Sequence, residues 1–336
     1  MTQRRRATIL TLSEAAGVAP STVSRALKGE TRISAETRAR IARLAKELGY
    51  TPHASGRILS SGRSGLVGLV LGPSSNPFYT ELLHEIFRQG LARGMRLLLI
   101  HAGAGPVENR TADALLQYQV DGCLMASVEL PSHAAAVCAA NGVPVVMVNR
   151  VARLHSSAVA CDNAGGSAEL AELLLRSGRR CFVLVGTSSP SSTAREREKG
   201  FVEHLAQAGT ARRPKRLDGR STYEGGFEAG RQICELPRGE RPDAIFAVSD
   251  IMAMGVLDAL RQAGIRAGRD VSVVGFDGLP SAAWPAYDLT TVEQPLAAMA
   301  GRALELLQAR IADRLMPDES VTLRGRLIER ESSRVA

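Results

Sequence analysis

The stretch that decides the reading is residues 8–65, TILTLSEAAGVAPSTVSRALKGETRISAETRARIARLAKELGYTPHASGRILSSGRSG. Its apolar residues recur at helical spacing in three short blocks. Leu10, Leu12, Ala15 and Ala16 give the first block an apolar face, and Gly17 breaks it. The second runs from Pro20 to Leu27, with Val23, Ala26 and Leu27 turned inward. Ser34 is a good N-cap for the third, which carries Ile41, Leu44, Ala45 and Leu48 and stops at Gly49. Only about three residues separate the first two helices, the spacing of a helix-turn-helix.

Charge sharpens that reading. Of 42 Lys/Arg and 34 Asp/Glu in the 336 residues, twelve and four fall in residues 1–64. The formal net charge of +8 is therefore carried by that segment, and the other 272 residues are neutral. A basic module on a neutral body is the footprint of polyanion binding. The exposed face of the second helix, Pro20, Ser21, Ser24 and Arg25, suits a major groove. There a guanidinium fork matches the guanine edge, and short hydroxyls reach bases or phosphates.

From residue 66 the texture changes. Apolar runs at 66–71, 95–100, 121–126, 144–148, 158–161, 181–186, 243–247 and 271–276 alternate with amphipathic helices such as 77–93 and 163–177. Continuous apolar strands between helices mean parallel sheets covered on both faces. So many strands predict two doubly wound sheets, with the ligand in the cleft between the lobes.

The sequence closely resembles the LacI/GalR repressor family. Residues 8–65 carry the resemblance first; SNPFYTELLHEI, VDGCLM, GVPVVMVNR, ACDNAGG, TAREREKGF, SDIMAMGVLDAL, VSVVGFDG and LTTVEQP follow in family order. The resemblance implies an N-terminal all-α helix-turn-helix domain on an α/β, two-lobed, periplasmic-binding-protein-like effector domain. Its boundaries are 1–52 for the DNA-binding domain, 53–64 for a hinge helix and 65–332 for effector binding and dimerisation. The first lobe spans about 65–161 and 293–318, the second about 162–290 and 320–332, with crossings near 161–163, 289–293 and 318–321.

It also implies roles. Ser21, Thr22, Ser24 and Arg25 address the major groove, while Lys28, Arg32, Ser34, Thr37, Tyr50 and His53 contact or position phosphates. Arg57 and Leu59 belong to the hinge, where Leu59 wedges into a minor-groove step. Departures at Thr11, Ala19, Lys28, His53 and Gly56 leave the operator sequence open; Ala19 alone forgoes about 1 kcal/mol of capping. For the effector, the expected residues are Phe78, Tyr79, Asn149, Arg150, Arg197, Tyr223, Ser249, Asp250, Asp277 and Gln294. Arg197 offers a fork for vicinal hydroxyls or a carboxylate, and Asp277 binds hydroxyls. Asp162-Asn163 reads as hinge and cap, and Asn76-Pro77 as a helix start.

Enzyme readings fail on spacing. GLVLGPSSNP at 68–77 is not a dinucleotide loop, no GKS/T follows a strand, and GTSSPSST at 186–193 lacks the lysine of a phosphate loop. The five cysteines stand apart in apolar surroundings without a CxxC pair and read as core residues. Neither catalysis, metal nor cofactor is expected. The competing class is a sugar-transport receptor of the same two-lobed fold, which would need export and would not bind a palindromic duplex. No signal segment or membrane span is read, so the expected setting is the cytoplasm. The expected partners are palindromic operator DNA, a second copy of the chain, and a sugar, sugar acid or polyol. The short tail ESSRVA at 331–336 carries no heptad repeat, which favours a dimer over a tetramer.

Overall fold

A computed structural model describes residues 7–50, 63–72, 75–102, 109–127, 132–150, 156–188, 191–210 and 213–334. The chain divides into two compact units, Met1–Ser64 and Gly65–Ala336.

The first unit is three helices, α1 (Ile9–Ala16), α2 (Pro20–Leu27) and α3 (Ala35–Glu47). Thr8 and Thr11 cap α1 reciprocally. Gly17 ends it in the left-handed region at φ 62°, where a side chain would strain the backbone. Ala19 gives α2 no side-chain cap, and Pro20 starts the helix instead. The Ser34 hydroxyl accepts from Thr37 N and so caps α3. The Arg38 guanidinium donates to the carbonyls of Gly29 and Glu30, pinning the loop between α2 and α3. Leu12, Ala16, Val23, Ala26, Ile41 and Ala45 form the core. Leu10, Ala15 and Leu48, expected on the apolar stripe, are exposed instead. Leu48 is the α3 C-cap, past the end of the packed stripe.

The second unit holds two six-stranded sheets among the described residues. The first runs β11-β5-β4-β3-β1-β2, formed by Leu66–Leu71 (β1), Arg96–His101 (β2), Gly122–Ala126 (β3), Val145–Val148 (β4), Ser157–Cys161 (β5) and Ser320–Leu323 (β11). All its pairings are parallel. The second runs β12-β10-β9-β8-β6-β7, formed by Phe182–Gly186 (β6), Lys215–Asp218 (β7), Ala244–Ala247 (β8), Ser272–Asp277 (β9), Thr290–Glu293 (β10) and Arg326–Ile328 (β12). Its edge strand β12 is antiparallel to β10, the one departure from a parallel pattern among these pairings.

The order 2-1-3-4-5 recurs as 7-6-8-9-10, so each sheet has a switch point between its first and third strands. Helices Phe78–Ala92 (α4), Asn109–Gln117 (α5), Ser132–Ala140 (α6) and Leu296–Ala312 (α11) belong with the first sheet. Asn163–Arg176 (α7), Ser192–Gln207 (α8), Tyr223–Glu235 (α9) and Asp250–Gln262 (α10) belong with the second.

The chain crosses between lobes at 161–163, 294–295 and 324–325. The last two lie beyond the expected 289–293 and 318–321. Thr290–Glu293 is still a strand of the second sheet, and Ser320–Leu323 pairs with β5 in the first. Hence 321–323 does not return to the second lobe, as the sequence reading had it.

Glycines let α9 and α10 touch backbone to backbone. A Cβ on Gly226 would stand 2.1 Å from the Met252 carbonyl oxygen, and one on Gly255 would stand 2.2 Å from the Tyr223 carbonyl oxygen. Gly226→Ala must push the helices apart, and overpacking of this kind costs about 1–3 kcal/mol. Urea unfolding should show that loss; wild-type stability in the variant would contradict the packing account.

Candidate functional site

Both switch points open onto one cleft. Ser75 and Asn76 follow β1, Ser127 follows β3 and Asn149-Arg150 follows β4. From the other lobe come Ser191, Thr193, Ala194 and Arg197 at the start of α8, with Val248-Ser249 after β8 and Asp277 ending β9. They enclose a cavity of about 300 Å³, large enough for one sugar-sized molecule.

Asp277 is its centre. One carboxylate oxygen accepts from Arg197 Nη1 at 3.0 Å and from Gln294 Nε2 at 2.8 Å. The other accepts from Asn76 Nδ2 at 2.7 Å, a bond across the cleft. Asn76 meanwhile accepts from Phe78 N at 3.0 Å, so one side chain starts α4 and joins the lobes. A second cross-cleft bond runs from the Ser75 hydroxyl to the Ser221 carbonyl at 3.1 Å.

Arg197 is 4% exposed and heavily used. Its Nε donates to Asn163 Oδ1 at 2.8 Å, and Nη1 donates also to the Val248 carbonyl at 2.8 Å. The guanidinium lies 3.9 Å from the centre of the Phe276 ring. Its second arm, Nη2, has no acceptor. The Ser249 hydroxyl and Asn149 Oδ1 are likewise buried without partners. These are the groups a ligand would satisfy.

Backbone strain gathers here too. Among the described residues seven non-glycines have positive φ, and five of them, Ser127, Asn149, Arg220, Ser221 and Asp277, line the cleft. Such conformations cost about 1–3 kcal/mol each and persist where the surrounding structure over-determines them.

Not every expected effector residue arrives. Tyr79, Asn149, Arg150, Arg197, Ser249 and Asp277 line the cleft. Phe78 is 2% exposed in the core and packs edge-to-face on Tyr79. It points away because successive helix residues diverge by about 100°. Tyr223 turns from the cleft, its hydroxyl donating to Asp258 at 2.7 Å and its ring stacked on Phe227. Gln294 lies behind Asp277 and does not line the cavity. Asp250 is also outside the lining and fully buried, accepting from Leu279 N at 2.8 Å and the Thr291 hydroxyl at 2.6 Å. Asp162 caps α7 and Asn163 orients Arg197. Asn76, read only as a cap, and Ser75, Ser127, Thr193 and Arg220 are lining residues the sequence did not single out.

On the first unit, Ser21, Arg25 and Lys28 are exposed at i, i+4 and i+7 along α2, with Thr22 and Ser24 half-buried beside them. Arg32 and Ser34 are exposed, Thr37 is half-buried, and Tyr50 packs on the core. His53, Arg57 and Leu59 lie outside the described residues. Among the described residues no cluster of three metal-ligating side chains occurs, and no helix is long and apolar enough to cross a membrane.

A profile of bacterial regulatory proteins, lacI family, matches residues 8–53, and one of periplasmic binding protein-like domains matches residues 171–333. The ribose operon repressor of Escherichia coli K12 is 30% identical, the alignment covering 97% of this chain and all of the relative. A transcriptional regulator CelR solved as its cellobiose complex is 30% identical with a TM-score of 0.72, over 97% of this chain and all of that one. The lac repressor dimer bound to operator and an anti-inducer superposes with a TM-score of 0.88 over 98% of this chain and all of that one; at 23% identity it speaks to the fold.

Burial, with the Asp277 charge nearby, pushes the Asp250 carboxyl up to about 7. Between its usual range and about 7 the folded chain holds a proton that the unfolded chain has lost, so stability falls as pH rises through that window. Asp250→Asn removes the effect. The melting temperature of the variant relative to wild type should rise between about pH 5 and 8, and a constant difference across that range would contradict the burial argument.

Proposed function

The chain belongs to the lacI family of bacterial regulatory proteins, and from that premise we propose how its two units act together. It is a DNA-binding transcription regulator of the repressor type with a small-molecule effector, and it has not the transport-receptor role that the two-lobed fold alone would allow. In our reading Ser21, Thr22, Ser24 and Arg25 address bases, and Lys28, Arg32, Ser34, Thr37 and Tyr50 hold the phosphate backbone. His53, Arg57 and Leu59 complete the interface through the hinge. Two copies meet a palindromic operator in the cytoplasm, their half-sites about one helical turn apart. Phe87 and Leu91 on α4 and Leu99 on the edge strand β2 expose apolar surface that a second copy would cover.

The observation that carries the effector reading is the buried, only partly satisfied cleft around Arg197 and Asp277. A polyhydroxylated ligand has acceptors for Arg197 Nη2 and donors for Asn149 Oδ1. The relatives' names, ribose operon repressor and CelR-cellobiose complex, support the sugar class. These named relatives are regulators, which supports a binding role over catalysis. The effector binds one arrangement of the lobes better than the other, and a coupling of about 1–3 kcal/mol then changes operator affinity.

Arg197→Lys keeps a cation opposite Asp277 but removes the second arm. Operator binding should stay within a few-fold of wild type, measured by fluorescence anisotropy on a palindromic duplex, while the response to effector is lost. A variant that responds normally would remove Arg197 from the effector site.

A further inference from the structure

We propose that the effector is an anion, a small polyhydroxylated acid with a carboxylate or phosphoryl group, and that Arg150 selects it. This rests on the cleft being the effector site. The charges decide the matter. Three arginines line the cavity, Arg150, Arg197 and Arg220, against one carboxylate, Asp277. Arg197 is neutralised by Asp277 at 3.0 Å. The carboxylate's remaining capacity goes to Asn76 and Gln294.

Arg150 has no such neutraliser. It is 8% exposed, and Nη1 donates to the Tyr79 hydroxyl and, at 2.7 Å, to the Asn149 carbonyl. Its Nε has no acceptor, and among the described residues no carboxylate lies within 4.0 Å. Asp162 and Glu196 line a second small cavity together with Arg150, but neither comes within ion-pair distance of it. Asp162 caps α7, and Glu196 accepts from Asn163 at 3.0 Å. A buried guanidinium bonded only to neutral oxygens is costly, and an anion in the cleft is the group that offsets it.

The rest of the wall agrees. Arg197, its charge balanced by Asp277, adds the unpartnered N–H donor Nη2, and Ser249 adds a hydroxyl; both residues line the cavity. The sixteen-residue helix α8 begins at the cavity with Ser191, Thr193 and Ala194 in the wall, so its positive end faces the ligand. The exposed Arg220 stands among the same lining residues. The unpartnered acceptor, Asn149 Oδ1, is suited to a hydroxyl of the same ligand. A neutral sugar would use the acceptors and leave Arg150 uncompensated.

The test uses the full chain at constant ionic strength, with chloride exchanged for the probe. The probes are inorganic phosphate and the pair D-gluconate and D-glucitol, which differ by one carboxylate. Phosphate or gluconate should raise the melting temperature of wild type by at least about 2 °C, and glucitol by less. Arg150→Lys, which keeps the charge, should retain the gain; Arg150→Gln, which can still donate to Tyr79, should lose it. The proposal is overturned if no anion stabilises wild type, if glucitol matches gluconate, or if Arg150→Gln gains as much as wild type. Should Arg150→Gln fail to fold, the gluconate and glucitol comparison on wild type still decides. Operator binding in the same samples separates the two readings. Stabilisation through Arg150 with unchanged operator affinity would refute the effector role and leave the anion site. A neutral sugar that shifts operator affinity in wild type and Arg150→Gln alike would refute the anion and leave the effector role.

Discussion

A single buried carboxylate ties the body of this chain together. Asp277 accepts from Arg197 in the second lobe, from Gln294 at the crossing between lobes and from Asn76 in the first lobe. A carboxylate so buried is tolerated only when its lone pairs are filled, so these three donors must converge. That convergence fixes where α4 starts, how α8 presents its arginine and where the chain turns back toward the first sheet. In the proposed reading a ligand in the cleft meets the same oxygens. Occupancy and lobe arrangement therefore depend on one group, which is what a switch requires.

The two units divide the work by charge. The basic first unit needs only a small core of six buried apolar residues, because its caps and the Arg38 clamp fix three short helices locally. The neutral body buries much longer apolar runs in two sheets of matching strand order. Six of its buried polar side chains, Asn149, Arg150, Thr193, Arg197, Ser249 and Asp277, gather at the cleft, where backbone strain also gathers. Stability lies in the strands and specificity in the turns that follow them.

Much of this was legible because its signals are local. Pro20, Ser34 and Gly17 mark helix ends by their own chemistry, and buried parallel strands such as CFVLVG and VSVVGF announce themselves as apolar runs. The edge strand KRLD at 215–218 did not, since a half-exposed strand carries no hydrophobic run. Leu48 fits the helical period yet is exposed, because it is the C-cap just past the end of α3. Phe78 and Tyr79 diverge by about 100° on α4, and the tertiary packing decides which of the two lines the cleft. Tyr223 was claimed by Asp258, a partner 35 residues away. Asn76 is the instructive miss: its cap is local, but its bond to Asp277 spans 201 residues and leaves no trace in the spacing.

The central claim is that the arrangement of the lobes sets operator affinity. Asn76→Asp tests it without any effector. The replacement keeps an acceptor for Phe78 N but sets a second carboxylate against Asp277, turning attraction across the cleft into repulsion. Operator affinity should change by at least about fivefold, with the slope of log affinity against log salt unaltered because no phosphate contact is touched. An operator isotherm superimposable on that of wild type would contradict the account.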